Sequence, residues 1–186
     1  MQNFNLVITT QRGNERNCVR EMNRLVIDAK GPPVHMKRTR FPGLILAFSE
    51  GDPIELCRSL RPLIEYDPWD LRFILKITPV QVTVAAETSV IKDAVGSLAA
   101  AIPDKESFRI SVNKRGSEMS SADIIKEAAS TVKRRVNLDS PAWIIQIEII
   151  DDRAGISLLT DEDIISVTKM QEKAMQSERE EPEPPK

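Results

Sequence analysis

The sequence predicts an α+β protein with mixed sheets that is divided into two modules. Short β-rich stretches alternate with amphipathic helical stretches along most of the chain, which is typical of this fold class. The 186 residues exceed the roughly 100–150 residues of the commonest domains, and Thr78-Pro79 offers a joint between two halves. Hydrophobic residues make up 41% of the chain and charged residues 29%, so a core can form.

The first module, predicted over residues 1–78, has the element order β-α-β-β-α-β. Apolar residues at helical spacing indicate a helix between Asn14 and Ala29, and Gly31-Pro32-Pro33 ends it. Pro42-Gly43 separates the strands of a hairpin, and Pro53 opens a second helix. This order is the ferredoxin-like split arrangement. The predicted elements are residues 4–10, 14–29, 34–40, 44–48, 53–63 and 71–77.

The second module, predicted over residues 79–168, combines helices and strands and ends in an antiparallel strand pair. Ser120 is the expected N-cap of its main helix, and Asp151-Asp152 is the expected turn of the strand pair. The predicted apolar stripe of that helix comprises Ala122, Ile125, Ala128, Ala129, Val132 and Val136. The predicted elements are residues 80–86, 89–101, 108–112, 121–136, 142–150, 154–159 and 161–170.

Residues 169–186 are predicted to form a disordered acidic tail, because Glu and Pro accumulate there and leave little to pack. No apolar run approaches the roughly 20 residues of a membrane span, and the start lacks signal-peptide features, so we expect a cytoplasmic protein. The cysteines Cys18 and Cys57 lack metal-ligand spacing, and we expect two half-buried thiols. Neither a metal nor a cofactor is expected.

The charge is distributed unevenly, although the net charge is only −2. Residues 12–40 carry eight Lys or Arg against three acids, and residues 107–135 carry seven against three. Residues 50–70 carry six acids against two bases, and residues 139–163 carry seven against one. The net charge of the whole chain therefore conceals two basic segments. Such segments are compatible with a protein that has a basic face and an acidic face and binds a polyanion through the basic one.

Four arginines spaced four residues apart, Arg12, Arg16, Arg20 and Arg24, would form one row on a helix. Guanidinium groups donate paired hydrogen bonds to phosphate and keep their charge near neutral pH. Acidic residues share this helix, however, and a solvated charged face is the commoner explanation of such a row.

A second candidate combines Lys114-Arg115-Gly116 at the end of a strand with Lys133, Arg134 and Arg135 at the far end of the following helix. Glycine lets a backbone approach a ligand, and a helix N-terminus offers unpaired N–H groups to phosphate. A solvated turn, followed by cations that are favoured at a helix C-terminus, explains the same residues equally well. Charge alone does not decide between the two interpretations.

No catalytic constellation is recognisable. His35 is the only histidine and lacks a Ser, Cys or carboxylate at a recognisable spacing, so a surface or half-buried structural role is expected. Asp151 and Asp152 are adjacent, and their side chains would diverge on an extended chain. The common phosphate-loop, dinucleotide and zinc-protease motifs are missing from the sequence. We therefore expect no enzymatic activity.

Residues 107–149 combine several motifs that together resemble the THUMP domain. Phe108 lies at the start of a strand that ends in the basic pair, Ser120-Ser121 begins a helix, and Val136-Asn137-Leu138-Asp139-Ser140-Pro141 leads into the last strands. The resemblance covers roughly residues 80–167, and the first module is similar to the ferredoxin-like domain that usually precedes THUMP. Many members carry Gly near the middle of the helix, where this chain has Ala128-Ala129.

The resemblance implies a protein that grips the acceptor stem and 3′ end of tRNA, with Lys114 and Arg115 as the matching contact residues. THUMP modules usually position a distant nucleotide in a fused catalytic domain, and the sequence after residue 167 is too short for one. The chain is thus similar to stand-alone THUMP proteins such as the tRNA acetylation adaptors, which implies tRNA and a separate acetyltransferase as partners. Neither DNA nor a membrane is an expected partner. The alternatives are an RNA-modifying enzyme with an unrecognised site and a ferredoxin-like protein-interaction module.

Overall fold

Two five-stranded sheets organise the chain in a computed structural model that describes residues 3–180. The helices are α1 (Glu15–Asp28), α2 (Pro53–Tyr66), α3 (Thr88–Ala99), α4 (Ser121–Ala129) and α5 (Val167–Glu180), and Asp161–Asp163 forms a short 3-10 helix. The strands are β1 (Leu6–Thr9), β2 (Val34–Arg38), β3 (Leu44–Ser49), β4 (Lys76–Pro79), β5 (Val82–Ala85), β6 (Ser107–Arg115), β7 (Arg135–Val136), β8 (Trp143–Ile150), β9 (Arg153–Leu159) and β10 (Ile165–Ser166). The predicted α+β class with mixed sheets is confirmed.

The first sheet has the antiparallel order β10-β4-β1-β3-β2 and is covered by α1 and α2. The apolar side of α1 is buried as its helical spacing predicts, and Asp52 caps α2 by accepting hydrogen bonds from the N–H groups of Ile54 and Glu55. The predicted strand over residues 71–77 is wrong over residues 71–75, because β4 begins only at Lys76. The preceding N–H groups of residues 72–74 donate instead to the carboxylate of Glu21.

The second sheet has the order β5-β9-β8-β6-β7 and is covered by α3 and α4. Ser120 is the N-cap of α4, as predicted, and accepts a hydrogen bond from the N–H of Asp123. The helix ends at Ala129 rather than near Val136, because residues 135–136 pair with β6. The predicted apolar stripe is also out of register: Ile124 faces the core together with Ala128, whereas Ile125 is exposed.

The chain returns to the first sheet after β9. Ile165 of β10 pairs with β4, and both Ile165 and Val167 are buried in the core beneath α1 and α2. The side-chain amide of Gln171 donates to the carbonyl oxygens of Pro68 and Leu71. Residues 169–180 are therefore helical rather than the predicted disordered tail. Met170 and Gln171 anchor the helix on the first module, and most of residues 172–177 are exposed. Residues 181–186 lie outside the described part of the chain. The predicted boundary at residue 168 likewise does not coincide with the packing.

A small apolar cluster joins the helix-free faces of the two sheets. Phe4, Val7 and Leu46 of the first module form this cluster together with Val80, which lies between β4 and β5, and Ile150 of the second module. Polar contacts support the junction, including a hydrogen bond of 2.7 Å from the hydroxyl of Thr83 to the carbonyl oxygen of Phe4. The two modules are thus packed against each other by both apolar and polar contacts.

Both cysteines lie in the first core, where they are fully buried rather than half-buried. Burial raises the pKa of the Cys18 and Cys57 thiols to about 12, so both remain protonated at neutral pH. No helix in residues 3–180 is long and apolar enough to cross a membrane.

Candidate nucleic-acid interface

The strand registers bring one end of each sheet to the same side of the molecule. In the first sheet, the end of β1, the end of β2 and the start of β4 lie together, since Thr9 pairs with both Leu44 and Lys76. In the second sheet, β6 ends beside the β8–β9 turn, where the N–H of Asp151 donates to the carbonyl oxygen of Arg115. The cations at this end form what we call the basic pole: Arg12, Lys37, Arg38, Arg40, Lys114 and Arg115.

Glu15 connects the loop that carries Arg12 to the loop between β2 and β3. Its carboxylate accepts hydrogen bonds from the N–H groups of Gly43 at 2.7 Å and Gly13 at 3.2 Å. These backbone donors lower the pKa of Glu15, and nearby Arg38 adds to the effect. The carboxylate is therefore a structural link, and Arg12 lines the same surface depression as Arg38 and Arg40.

Gly116 lets the end of β6 lie against the first module. Its φ of +66° is in the left-handed region, and a Cβ at this position would lie 2.5 Å from the Phe41 ring and also collide with the carboxylate of Asp151. The guanidinium group of Arg40 spans this contact: it forms an ion pair with Asp151 and lies 4.8 Å from the centre of the Phe41 ring. The two basic segments of the sequence therefore meet here.

Lys114 and Arg115 lie on opposite faces of the second sheet, because successive side chains of a strand alternate. Lys114 is on the helix side, and its ammonium group donates to the carbonyl oxygen of Met119, just before the N-cap of α4. Arg115 is on the other face, near the buried carboxylate of Glu148. The two cations therefore lie on both sides of the strand end, and they do not point together at a single phosphate.

Glu148 is a buried carboxyl group on that second face. Burial raises its pKa, while hydrogen bonds from Asn113 and Gln146 and the charges of Lys76 and Arg115 act in the opposite direction. Because the folded-state pKa is raised, the folded protein retains a proton that the unfolded chain releases, and folding stability falls as pH rises above the ordinary glutamate value.

We expect Glu148→Gln to remove this loss of folding stability with rising pH, because glutamine does not titrate but keeps an oxygen that accepts hydrogen bonds. The melting temperature of the variant relative to the wild type should therefore increase between pH 4 and pH 7, as thermal unfolding monitored by circular dichroism would show. A difference that is constant over this range would contradict the raised pKa.

The other predicted contact residues are not gathered at the basic pole. Arg16 and Arg20 are exposed along α1, and the next arginine of the row, Arg24, forms an ion pair of 2.7 Å with Asp70. Lys133, Arg134 and Arg135 lie at the opposite end of β6, where Arg135 pairs with Ser107. That end is roughly 25 Å from Arg115 at the usual rise of a strand. Arg134 is held there by Asp104 and by the carbonyl oxygen of Ile102.

Sequence reasoning did not single out Lys37, Arg38 and Arg40. The available signal was the excess of bases in residues 12–40, but a count does not show which side chains reach the end of a sheet. His35, on the same strand as Lys37, is exposed as expected and lies 2.9 Å from the Glu50 carboxylate.

The comparison with protein families identifies the second module. The family model for the THUMP domain matches residues 85–159, which extend from the end of β5 to the end of β9, and these residues form a THUMP domain. No curated protein sequence matches the chain.

Solved structures share the arrangement of both modules. PH1313 from Pyrococcus horikoshii Ot3 has a TM-score of 0.61 at 14% identity, with 85% of this chain and 55% of that chain covered. TrmN from Thermus thermophilus has a TM-score of 0.58 at 16% identity and coverages of 94% and 50%. A 4-thiouridine synthetase in complex with RNA and ATP has a TM-score of 0.53 at 12% identity and coverages of 88% and 42%. The chain spans about half the length of these proteins, and identities this low show the fold alone.

Proposed function

We propose that this chain is a non-catalytic, cytoplasmic RNA-binding protein that holds the acceptor stem and 3′ end of a tRNA. It presents the tRNA to a separate modifying enzyme, and an acetyltransferase that makes 4-acetylcytidine is the candidate partner. The observation that carries the proposal is the basic pole, which both modules build together. Phosphate contacts there position an RNA without reading its sequence, so the shape of the RNA end provides the selectivity.

The surroundings of the basic pole favour binding over catalysis. The Glu15 carboxylate is engaged by backbone N–H groups, and Asp151 is engaged by Arg40, so neither carboxylate is arranged as a general base. Apart from the exposed Asp152, the remaining charged groups of this surface are cations suited to phosphate oxygens. A further support is the similar fold of a 4-thiouridine synthetase that was solved with RNA bound.

Binding of an unmodified tRNA, intact or trimmed of its 3′ single-stranded end, tests the RNA proposal. We expect Lys114→Ala/Arg115→Ala to weaken binding of the intact tRNA about tenfold and to reduce the slope of log affinity against log salt by about two, one unit for each lost phosphate contact. Fluorescence anisotropy over a salt series measures both quantities. Trimming the 3′ end should weaken wild-type binding.

Lys105→Ala/Lys126→Ala is the matched control, because both lysines are exposed and lie outside the basic pole. It should bind like the wild type. Equal and feeble binding of both RNAs by all three proteins would overturn the RNA proposal and would favour a protein-interaction module.

A modification assay separates the adaptor from an enzyme. Unmodified tRNA and acetyl-coenzyme A are incubated with the chain alone, with the candidate acetyltransferase alone and with both, and 4-acetylcytidine is measured by mass spectrometry. The adaptor proposal expects product only when the acetyltransferase is present, and more product when the chain is added. Product from the chain alone would show that it is an enzyme.

A further inference from the structure

A groove of about 330 Å³ separates the first module from the polar face of the THUMP sheet. On one side lie α2, β4, β10 and α5, and on the other lie β6 and β8. It is a different place from the depressions around Arg12 and Arg40, which have other linings. Its cationic side chains are Arg61, Lys76, Arg109, Lys169 and Lys173.

These cations differ in how they are engaged. Arg61 is held in place by Glu65 and by carbonyl oxygens of the segment before β10, so it serves the fold. Among the side chains that the structure describes, those of residues 3–177, Lys169 and Lys173 form neither ion pairs nor hydrogen bonds through their ammonium groups. They are one helical turn apart on α5, both are exposed, and both line the groove.

Arg109 lies on the opposite wall of the groove and has an unsatisfied hydrogen-bond donor. Its Nε is buried and has no hydrogen-bond partner, although another nitrogen of the same group lies 3.4 Å from the carbonyl oxygen of Leu138. A buried donor without a partner costs about 1–3 kcal/mol. No carboxylate among the described residues forms an ion pair with Arg109, so its positive charge would favour an anion in the groove over an apolar ligand.

The groove and the basic pole are connected by Lys76. This residue lines the groove, lies opposite Thr9 at the end of β1, and shares the environment of Glu148 with Arg115. Ser111, Gln146 and Ser166 add neutral hydrogen-bonding groups to the lining. Its two carboxylates are Glu65, which forms an ion pair with Arg61, and Asp161, so the five cations outnumber the acids. A chain of phosphates that leaves the basic pole along this face thus meets cations and hydrogen-bonding groups on its way.

We infer that the groove binds a second stretch of the RNA backbone, with Lys169 and Lys173 on one side of consecutive phosphodiesters and Arg109 on the other. The inference rests on the proposed RNA binding and deepens it: the RNA is held at two places, and the second uses α5, which lies outside the residues matched by the THUMP model. A two-point contact fixes the direction of the RNA relative to the modules, which a single basic patch cannot do.

The first test is charge reversal in Lys169→Glu/Lys173→Glu, measured by anisotropy with intact unmodified tRNA. We expect affinity to fall at least tenfold and the salt slope to become shallower by about two units. Lys105→Glu/Lys126→Glu changes the net charge equally at exposed positions elsewhere and should lose less than threefold. The replaced lysines are exposed, and unchanged thermal unfolding checks that all variants fold.

The second test is a crosslink. Because both native cysteines are buried, Lys169→Cys provides a single accessible thiol for a photoreactive group. We expect crosslinking of tRNA from position 169 and little from the matched variant Lys105→Cys. If the wild type and the basic-pole variant behave as proposed but charge reversal matches its control and position 169 does not crosslink, the groove inference fails alone. If the wild type binds no RNA, the proposed function and the inference fail together.

Discussion

Replacing Glu21 with alanine is expected to lower the free energy of unfolding by about 3–5 kcal/mol. Glu21 is only 8% exposed, and its two carboxylate oxygens accept hydrogen bonds from the N–H groups of Arg72, Phe73 and Ile74 at 2.7–3.0 Å. These donors belong to the segment between α2 and β4 and would lose their acceptor in the variant. The carboxylate thus substitutes for the strand partner that this segment lacks.

Urea unfolding followed by circular dichroism measures the effect, and Asp28→Ala is the matched control. Asp28 lies on the same helix, but it is exposed, and within the described part of the chain its carboxylate accepts no hydrogen bond from a backbone N–H group. We expect that control to change stability by less than about 0.5 kcal/mol. Glu21→Gln, which keeps one oxygen, should fall between the two. Similar stabilities for Glu21→Ala and Asp28→Ala would contradict the proposed role of the carboxylate.

Replacing Gly116 with alanine is expected to destabilise the protein by about 2–4 kcal/mol, because a left-handed backbone and a close contact are both affected. The added Cβ would collide with Phe41 and Asp151, so the end of β6 would have to move away from the first module. Affinity for tRNA should fall together with stability, since this movement separates Arg115 from Arg40 and divides the basic pole.

Gly13→Ala is the control that separates the destabilisation due to backbone strain from that due to the close contact at Gly116. Gly13 also has a positive φ, of +87°, but a Cβ there would meet nothing within 4 Å. We expect Gly13→Ala to cost only the strain, about 1 kcal/mol. Thermal unfolding and tRNA anisotropy of both variants provide the comparison. Equal losses at the two positions would show that the contact around Gly116 contributes nothing.

Much of the fold could be predicted because its signals are local. Helical spacing of apolar residues located α1, and the sequence alone identified the N-cap Ser120. Signals that act across the fold were missed. The start of β4 depends on Glu21, which is more than fifty positions away in sequence, and the end of α4 depends on the pairing of residues 135–136 with β6.

The candidate site could be predicted only in part for the same reason. Lys114 and Arg115 were recognised from their position at a strand end, but their separation onto two faces follows from the sheet. Arg40 became relevant through its contact with Asp151, which lies far away in sequence. Conversely, Arg134 stood out as a cation in the sequence, yet Asp104 engages it in the structure.

The return of β10 and α5 to the first sheet has a consequence for synthesis on the ribosome. Residues of the THUMP domain leave the ribosome as one continuous stretch and can fold as soon as they emerge. The first domain cannot be completed at that time, because Ile165 and Val167 are part of its core and emerge later. We therefore expect the N-terminal domain, although it is synthesised first, to complete its folding after the THUMP domain.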